Sequence, residues 1–336
     1  MPQSDLEALL ERARKLVYSQ SADALAFARS ARELARSLGD APGEAEALNI
    51  SAQVLFLFGR YGDAMNEMMT VMDIGNTRDI GIRHGEALQQ IARSHYTQGD
   101  YDSASDCWFA CLELPANLVA EVDRVRAHIG LGQVMFAHEQ YEKALAHHRR
   151  ASELAEECDN VQLTASSLIN IAVDLQYLAH FDEACAVLKQ ALPLARAAEH
   201  YEFEAEIYGI MGQIQFARGD LTKARMSLRV ALKINRLHTN LWGEANDLFW
   251  LGHCSLTEGE LDTAHDELLR AMHLAKEMGA QNLVARIHLA LSTLYVGLDQ
   301  PERSIEHLAA YDGLQQQMSE QVSSSRFANM ELRLTQ

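Results

Sequence analysis

Cysteine is scarce and shows no pairing pattern. The five residues Cys107, Cys111, Cys158, Cys185 and Cys254 are odd in number and irregular in spacing, which excludes the disulfide framework that small secreted domains need. A reducing, cytoplasmic setting fits that usage. Basic residues are also in deficit, 29 against 47 acidic, and the formal charge of −18 comes with no basic cluster. That balance argues against a nucleic-acid backbone or an anionic membrane surface as the main partner. Long apolar runs are missing: "AQVLFLF", from Ala52 to Phe58, is far too short to span a bilayer, and the opening "MPQSDLEALLERARK" lacks the apolar stretch of a signal peptide. No Gly-rich phosphate loop, His-Glu-x-x-His, Cys-x-x-Cys or Gly-x-Ser-x-Gly is present. The expectation is a non-enzyme without cofactor or metal, inserted in no membrane.

What the chain does have is a period. Hydrophobic residues make up 48%, enough to bury a large core, and they recur in eight rows of forty, near 1–40, 41–80, 81–120, 121–160, 161–200, 201–240, 241–280 and 281–320. Equivalent positions read Ala52, Ala92, Gly132, Ala172, Gly212, Gly252 and Ser292, a column of small residues. Seven positions on stand Gly59, Gly99, Gly219 and Gly259, with Glu139, Ala179 and Asp299 in the remaining rows. Next come Tyr61, Tyr101, Tyr141, Phe181, Leu221 and Leu261, then three positions later Ala64, Ala104, Ala144, Ala184, Ala224 and Ala264. A glycine after an apolar-periodic segment supplies the left-handed residue that stops a helix. Small residues at one level of both helices let the backbones approach. Each row therefore predicts helix, tight turn, helix, and one pair cannot bury its apolar face unless neighbours stack on it. Ser4 and Glu7 have capping-box spacing at the array start.

The stretch "LGQVMFAHEQYEKALAHHRRA" resembles the tetratricopeptide repeat: a small residue in the first helix, Gly-x-Tyr or its variant at the turn, and Ala…Ala in the second. The resemblance implies an all-α fold, a right-handed α-solenoid of about eight helix-turn-helix repeats over residues 1–300. The usual unit of that family is shorter, and the long repeat is similar to that of bacterial regulators and some scaffold proteins. From Pro301 to Leu334 no proline intervenes, which predicts a long C-terminal helix over 301–336. Its broken apolar stripe of Leu314, Met318, Val322, Phe327, Met330 and Leu334, interrupted at Ser323 to Ser325, fits a transmitter or homodimerisation segment.

In such arrays the first helices line a concave groove. One column of that face reads Gln53, Arg93, Gln133, Val173, Gln213, His253 and Thr293; a second reads Asn49, Gln89, Ile129, Ile169, Gly209, Phe249 and Leu289. A third holds Phe56, Tyr96, Phe136, Gln176, Phe216, Leu256 and Val296, either packing aromatics or apolar pockets. Amides bond an extended peptide through donor and acceptor at once. The candidate groove is Asn49, Gln53, Gln89, Arg93, Tyr96, Arg126, Gln133, Gln213, Phe249 and His253, and its partner is a peptide or protein segment. Arg286 shares the face. Asn170 and Asp174 stand in columns that are otherwise apolar and form either a structural network or a ligand contact. Trp242, Phe249 and Trp250 are an aromatic excess, core or hot spot. Cys107 and Cys111 share a helix face and read as packing, and His147 and His148 as a solvated face.

Long repeats followed by an exit helix are similar to the N-terminal sensor region of bacterial signalling proteins, in particular GGDEF-type diguanylate cyclases, whose catalytic segment would lie beyond residue 336. Two alternatives stand beside that reading: a peptide receptor of the Rap-like quorum-sensing type, without its extra N-terminal domain, and a scaffold or co-chaperone binding client segments, for which the Lys/Arg/Asn clamp is sparse.

Overall fold

Glycine at residues 59, 99, 219 and 259 does what its column requires, taking φ between 71° and 80°. The other members of the column follow: Glu139, Ala179 and Asp299 adopt the same left-handed conformation at φ 59°, 59° and 56°. Each turn is closed by the next residue's amide reaching back to the last helical turn, as Gln140 N does to the Met135 carbonyl at 2.9 Å. Following helices are opened by side-chain caps where the sequence allows: Asp40, Asp100, Asp220 and Asn240 accept from the amides of Gly43, Ser103, Lys223 and Gly243.

A computed structural model describes the backbone of residues 2–334 and the side chains of residues 3–318. It divides into two compact units, residues 1–160 and 161–336. The first holds α1 (Pro2–Leu16) with α2 (Ser21–Leu38), α3 (Ala41–Leu57) with α4 (Tyr61–Thr77), α5 (Arg83–Thr97) with α6 (Tyr101–Glu113), and α7 (Glu121–Ala137) with α8 (Tyr141–Glu157). The second holds α9 (Val161–Tyr177) with α10 (Phe181–Ala197), α11 (Tyr201–Ala217) with α12 (Leu221–Leu237), α13 (Leu241–Thr257) with α14 (Leu261–Glu277), and α15 (Gln281–Gly297) with α16 (Pro301–Leu334). The fold is all-α, consecutive packed helix pairs of a tetratricopeptide-like solenoid with about eight repeats.

The small-residue column lies where each first helix meets its own second helix. A Cβ added to Gly132 would stand 2.3 Å from His148 Nε2, and one added to Gly212 or Gly252 would meet Leu228 or Leu268 at 2.6 and 2.8 Å. Ala52, Ala92 and Ala172 at that level have no exposed surface. His148 is thus a packing residue, 2% exposed, and not part of a solvated face, because glycine opposite leaves room for a ring. Its neighbour His147 is half-buried.

Two details depart from the gapless rows. α1 already runs from Pro2, so Ser4 and Glu7 sit inside its first turns and are no capping box. The third row is cut short: α6 stops at Glu113, ahead of Pro115, and residues 114–120 loop back so that the Leu118 carbonyl accepts from Gly85 N at 2.9 Å. Val119, 1% exposed, plugs the space beside Gly85. At the far end α16 opens as the second helix of the eighth pair, with Ser304 Oγ 3.0 Å from Ser292 Oγ and Leu314 against the core of the second unit. Val322, Ser323 to Ser325, Phe327, Met330 and Leu334 lie outside the described side chains. Among the described residues no helix is long and apolar enough to cross a membrane.

Candidate functional site on the first helices

Within each unit, successive first helices touch: α1 with α3, α3 with α5 and α5 with α7, then α9 with α11, α11 with α13 and α13 with α15. Second helices pack on first helices and reach one another only through long side chains among the described residues, as Arg32 of α2 does to Glu67 of α4 at 3.3 Å and Phe109 of α6 to His147 of α8. First helices are therefore the inner side of each unit.

The second groove column falls on the seam between successive first helices. Asn49 is 6% exposed and donates to Glu86 Oε2 at 2.8 Å. Gln89 is 5% exposed; Trp108 Nε1 donates to its Oε1 at 3.0 Å, and its Nε2 donates to the Asp123 carbonyl. Phe249 is also buried. These three hold neighbouring repeats in register and present no open polar surface, which corrects their assignment to the groove. Ile129 and Ile169 in the same column were the sequence signal for a seam; Leu289, on the last first helix, is 42% exposed.

The first column does face outward from the core. Gln53 and Arg93 are exposed; Gln133, Gln213 and His253 are half-buried. In the first unit the Arg93 guanidinium lies over the Phe56 ring, 4.8 Å from its centroid. Although the residue is exposed as a whole, packing around its guanidinium lowers its pKa, opposed by the charge of Tyr18 and joined by Arg126. Arg126 is held by Asp123 at 3.0 Å. Tyr96 is half-buried between Tyr101 and Trp108; it packs.

In the second unit Gln176 Nε2 donates to Gln213 Oε1 at 3.3 Å, joining α9 to α11. His253 stands among Phe249, Trp250 and Phe216 at centroid distances of 4.6, 5.7 and 6.1 Å. Burial first, and then Arg286, push its imidazole down to about 4, so it is neutral. Arg286 spans the group, 4.5 Å over Phe249 and 5.6 Å over Trp250. Its pKa is lowered by burial. Among the described residues no carboxylate pairs with Arg286. By contrast Arg83 is bound by Glu46 and Glu86, and Arg225 by Glu258 and Glu260 at 2.7 and 2.6 Å. Glu206, which sequence reasoning missed, belongs to the column of Glu46, Glu86, Arg126 and Arg286; the residue is exposed as a whole, yet desolvation of its carboxyl, with Glu202, pushes it up to about 7. Trp242 is 58% exposed in the first turn of α13, whereas Phe249 and Trp250 are the floor under Arg286.

The remaining candidates are placed as follows. Asp174 is fully buried in α9 with Asn170 half-buried one turn before it. Cys111 is buried, its Sγ 4.0 Å from Gly85 O, and burial pushes the thiols of Cys107 and Cys111 up to about 11, so neither is a thiolate at neutral pH. No group of three or more His, Cys, Asp or Glu side chains converges as a metal cage among the described residues.

Comparison with known proteins agrees with this architecture. The tetratricopeptide repeat family profile matches residues 120–197 and 163–236, less than half of the chain. A curated relative, the 43 kDa receptor-associated protein of the synapse from Tetronarce californica, is 22% identical over 284 residues, 83% of this chain and 69% of that protein. Among solved structures, a signal transduction ATPase with numerous domains (STAND) carrying a tetratricopeptide repeat sensor, from Pyrococcus horikoshii, superposes with a TM-score of 0.68 at 16% identity, over 98% of this chain and 53% of that one. The Rap conjugation gene regulator of the plasmid pLS20, in complex with the Phr peptide, superposes with a TM-score of 0.57 at 13% identity, over 94% of this chain and 96% of that one. At these identities the likeness is one of fold.

Proposed function

We propose that the chain is a non-catalytic receptor that holds an extended peptide or protein segment along the inner side of its first helices, with a carboxylate of that segment against Arg286. The observation that carries the reading is the state of that guanidinium: half-buried, lying on two aromatic rings, and without a carboxylate partner. A desolvated cation gains most from a counter-ion delivered by a ligand, and a planar fork recognises a carboxylate with two parallel bonds. Further along the first helices of the same unit, Gln213 and Gln176 supply amide donors and acceptors for a peptide backbone. Arg93 over Phe56, beside Gln53 and Gln133, is a similar station in the first unit.

The receptor reading goes ahead of the diguanylate-cyclase one because the similar proteins include a Rap regulator in complex with a peptide and a tetratricopeptide sensor, and none of those named is a cyclase. Self-association through the later part of α16 belongs to the same proposal.

The test is a peptide-display selection on the wild-type protein, followed by titration of the selected peptides against Arg286→Ala and, separately, Arg93→Ala with Gln133→Ala. Peptides should carry an essential carboxylate, and affinity should fall at least about tenfold in a variant, roughly 1.4 kcal/mol, with helicity and melting midpoint unchanged. Peptides that bind both variants as tightly as wild type would remove the site from this face.

A further inference from the structure

Fourteen histidines occur in the chain, and four of them form two pairs in the same register. His288 follows His128 by four rows of forty, and His307 follows His147 by the same interval. The first of these columns is otherwise Leu48, Leu88, Leu168 and Leu248, with Tyr208. Histidine replaces leucine only in the two rows where the facing position of the second helix is histidine as well.

Structure makes each pair a contact between the two helices of one repeat. His128 on α7 and His147 on α8 bring their Nδ1 atoms to 3.1 Å; His288 on α15 and His307 on α16 bring theirs to 2.9 Å. The rings are tilted by 39° and 43° at centroid distances of 5.4 and 4.9 Å. All four rings are half-buried, so they are positioned by packing and still reached by solvent. We propose that these pairs are two copies of one binding site for a divalent late transition-metal ion, ligated through Nδ1 of one histidine from each helix, with water in the remaining positions.

The distances fit such an ion. With metal–nitrogen bonds of about 2.0–2.1 Å, two imidazoles at a right angle place their nitrogens about 2.8–3.0 Å apart, and a modest opening of that angle reaches about 3.1 Å. A right-angle pair is the geometry of a tetragonal Cu²⁺ or Ni²⁺ site more than of a closed tetrahedral zinc site. Among the described residues no third protein ligand converges, which leaves each site open on one side. The rings are held toward the neutral form. Burial, then His147 and Arg150, hold His128 down to about 4; His147 is lowered by burial and by His148. His288 is lowered by burial, His307 and Lys276. His307 is lowered by burial, Lys276, Arg303 and His265, with Glu306 opposing. These shifts favour the neutral imidazole that ligates, and in each pair the Nδ1 proton that bridges the two rings moves to Nε2 when a metal takes its place. The same arginines and lysine repel a cation, which places the affinity below that of a three-histidine cage. Bound metal would join α7 to α8 and α15 to α16 in the folded state alone, and so raise thermal stability by mass action.

The experiment is calorimetric titration of the tag-free full chain with Ni²⁺ and with Cu²⁺, together with the Cu²⁺ paramagnetic resonance spectrum. Two equivalents should bind with nitrogen hyperfine structure, and the melting midpoint should rise. His147→Gln should leave one equivalent, and His147→Gln with His307→Gln none. His128→Leu with His288→Leu repeats the test with the residue that other rows carry there, so that loss of fold cannot imitate loss of ligands. His138→Gln should bind as wild type. Two equivalents retained by either double variant, or no saturable binding by the wild-type chain, overturns the proposal.

Discussion

Residue 132 shows how narrowly the seam is specified. A methyl group there would meet the His148 ring at 2.3 Å, and His148 is buried with nowhere to swing. Gly132→Ala is therefore expected to cost about 1–3 kcal/mol, and adding His148→Ala should recover part of that loss; equal, additive losses in a double-mutant cycle of thermal melts would refute the contact. Asp247 is a second such point, 2% exposed and accepting from Asn235 Nδ2 at 2.8 Å. Burial, opposed by Asn235 and joined by Glu244, pushes its carboxyl up to about 7 from 3.8. A carboxyl that holds its proton more tightly when folded makes the folded state lose stability as pH rises between those two values, and the whole cost is present above the upper one. Asp247→Asn keeps an acceptor for Asn235 and removes the charge. It should raise the melting midpoint at about pH 8, and by much less at about pH 4. A midpoint that rises equally at both would show that the charge is not what matters.

At the level of helices, the stops are uneven in quality. Gly279 and Gly259 take a left-handed conformation freely, but Thr239 adopts φ 55° and Ala179 φ 59°, where a Cβ costs about 1–2 kcal/mol. Thr239→Gly should stabilise by roughly 0.5–1 kcal/mol after the extra chain entropy of glycine is subtracted, read as a higher denaturation midpoint; a lower midpoint would mean that the Thr239 hydroxyl, which donates to the His238 carbonyl at 2.8 Å, matters more than the strain. The helix pairs were legible in the sequence because stop, aromatic and small residue recur at fixed offsets, each for a separate steric reason. The shortened third row was not, since Pro115 marks a break without saying where the chain returns. The candidate site was half legible. Gln53, Arg93, Gln133, Gln213 and His253 lie outside the core as their polarity required. Asn49 and Gln89 look as polar on paper, yet one helical step turns them into the joint between repeats, where the Asp123 carbonyl and Glu86 absorb their amides. The four paired histidines were readable only by comparing rows four apart.

For the whole chain, the formal charge of −18 opposes self-association unless a local apolar surface overcomes it. α16 is where such a surface belongs: at 34 residues it is twice as long as α15, the helix it packs on, so its latter half runs past its partner. Light scattering should give a dimer for residues 1–336 and a monomer for residues 1–318; identical masses would end the idea of a dimerising exit helix. Each unit has one more property that follows from its seams. First helices pack backbone against backbone, whereas second helices meet only through long side chains such as Arg32 and Glu67, so every repeat resembles a leaf bound along one edge and lightly stitched at the other. Bending that spreads the outer edges parts only side-chain contacts such as Arg32 with Glu67 and Phe109 with His147, while shear along the bound edge would tear Asn49 from Glu86 and Gln89 from Asp123. Mechanically, each unit is soft in one direction and stiff in the other.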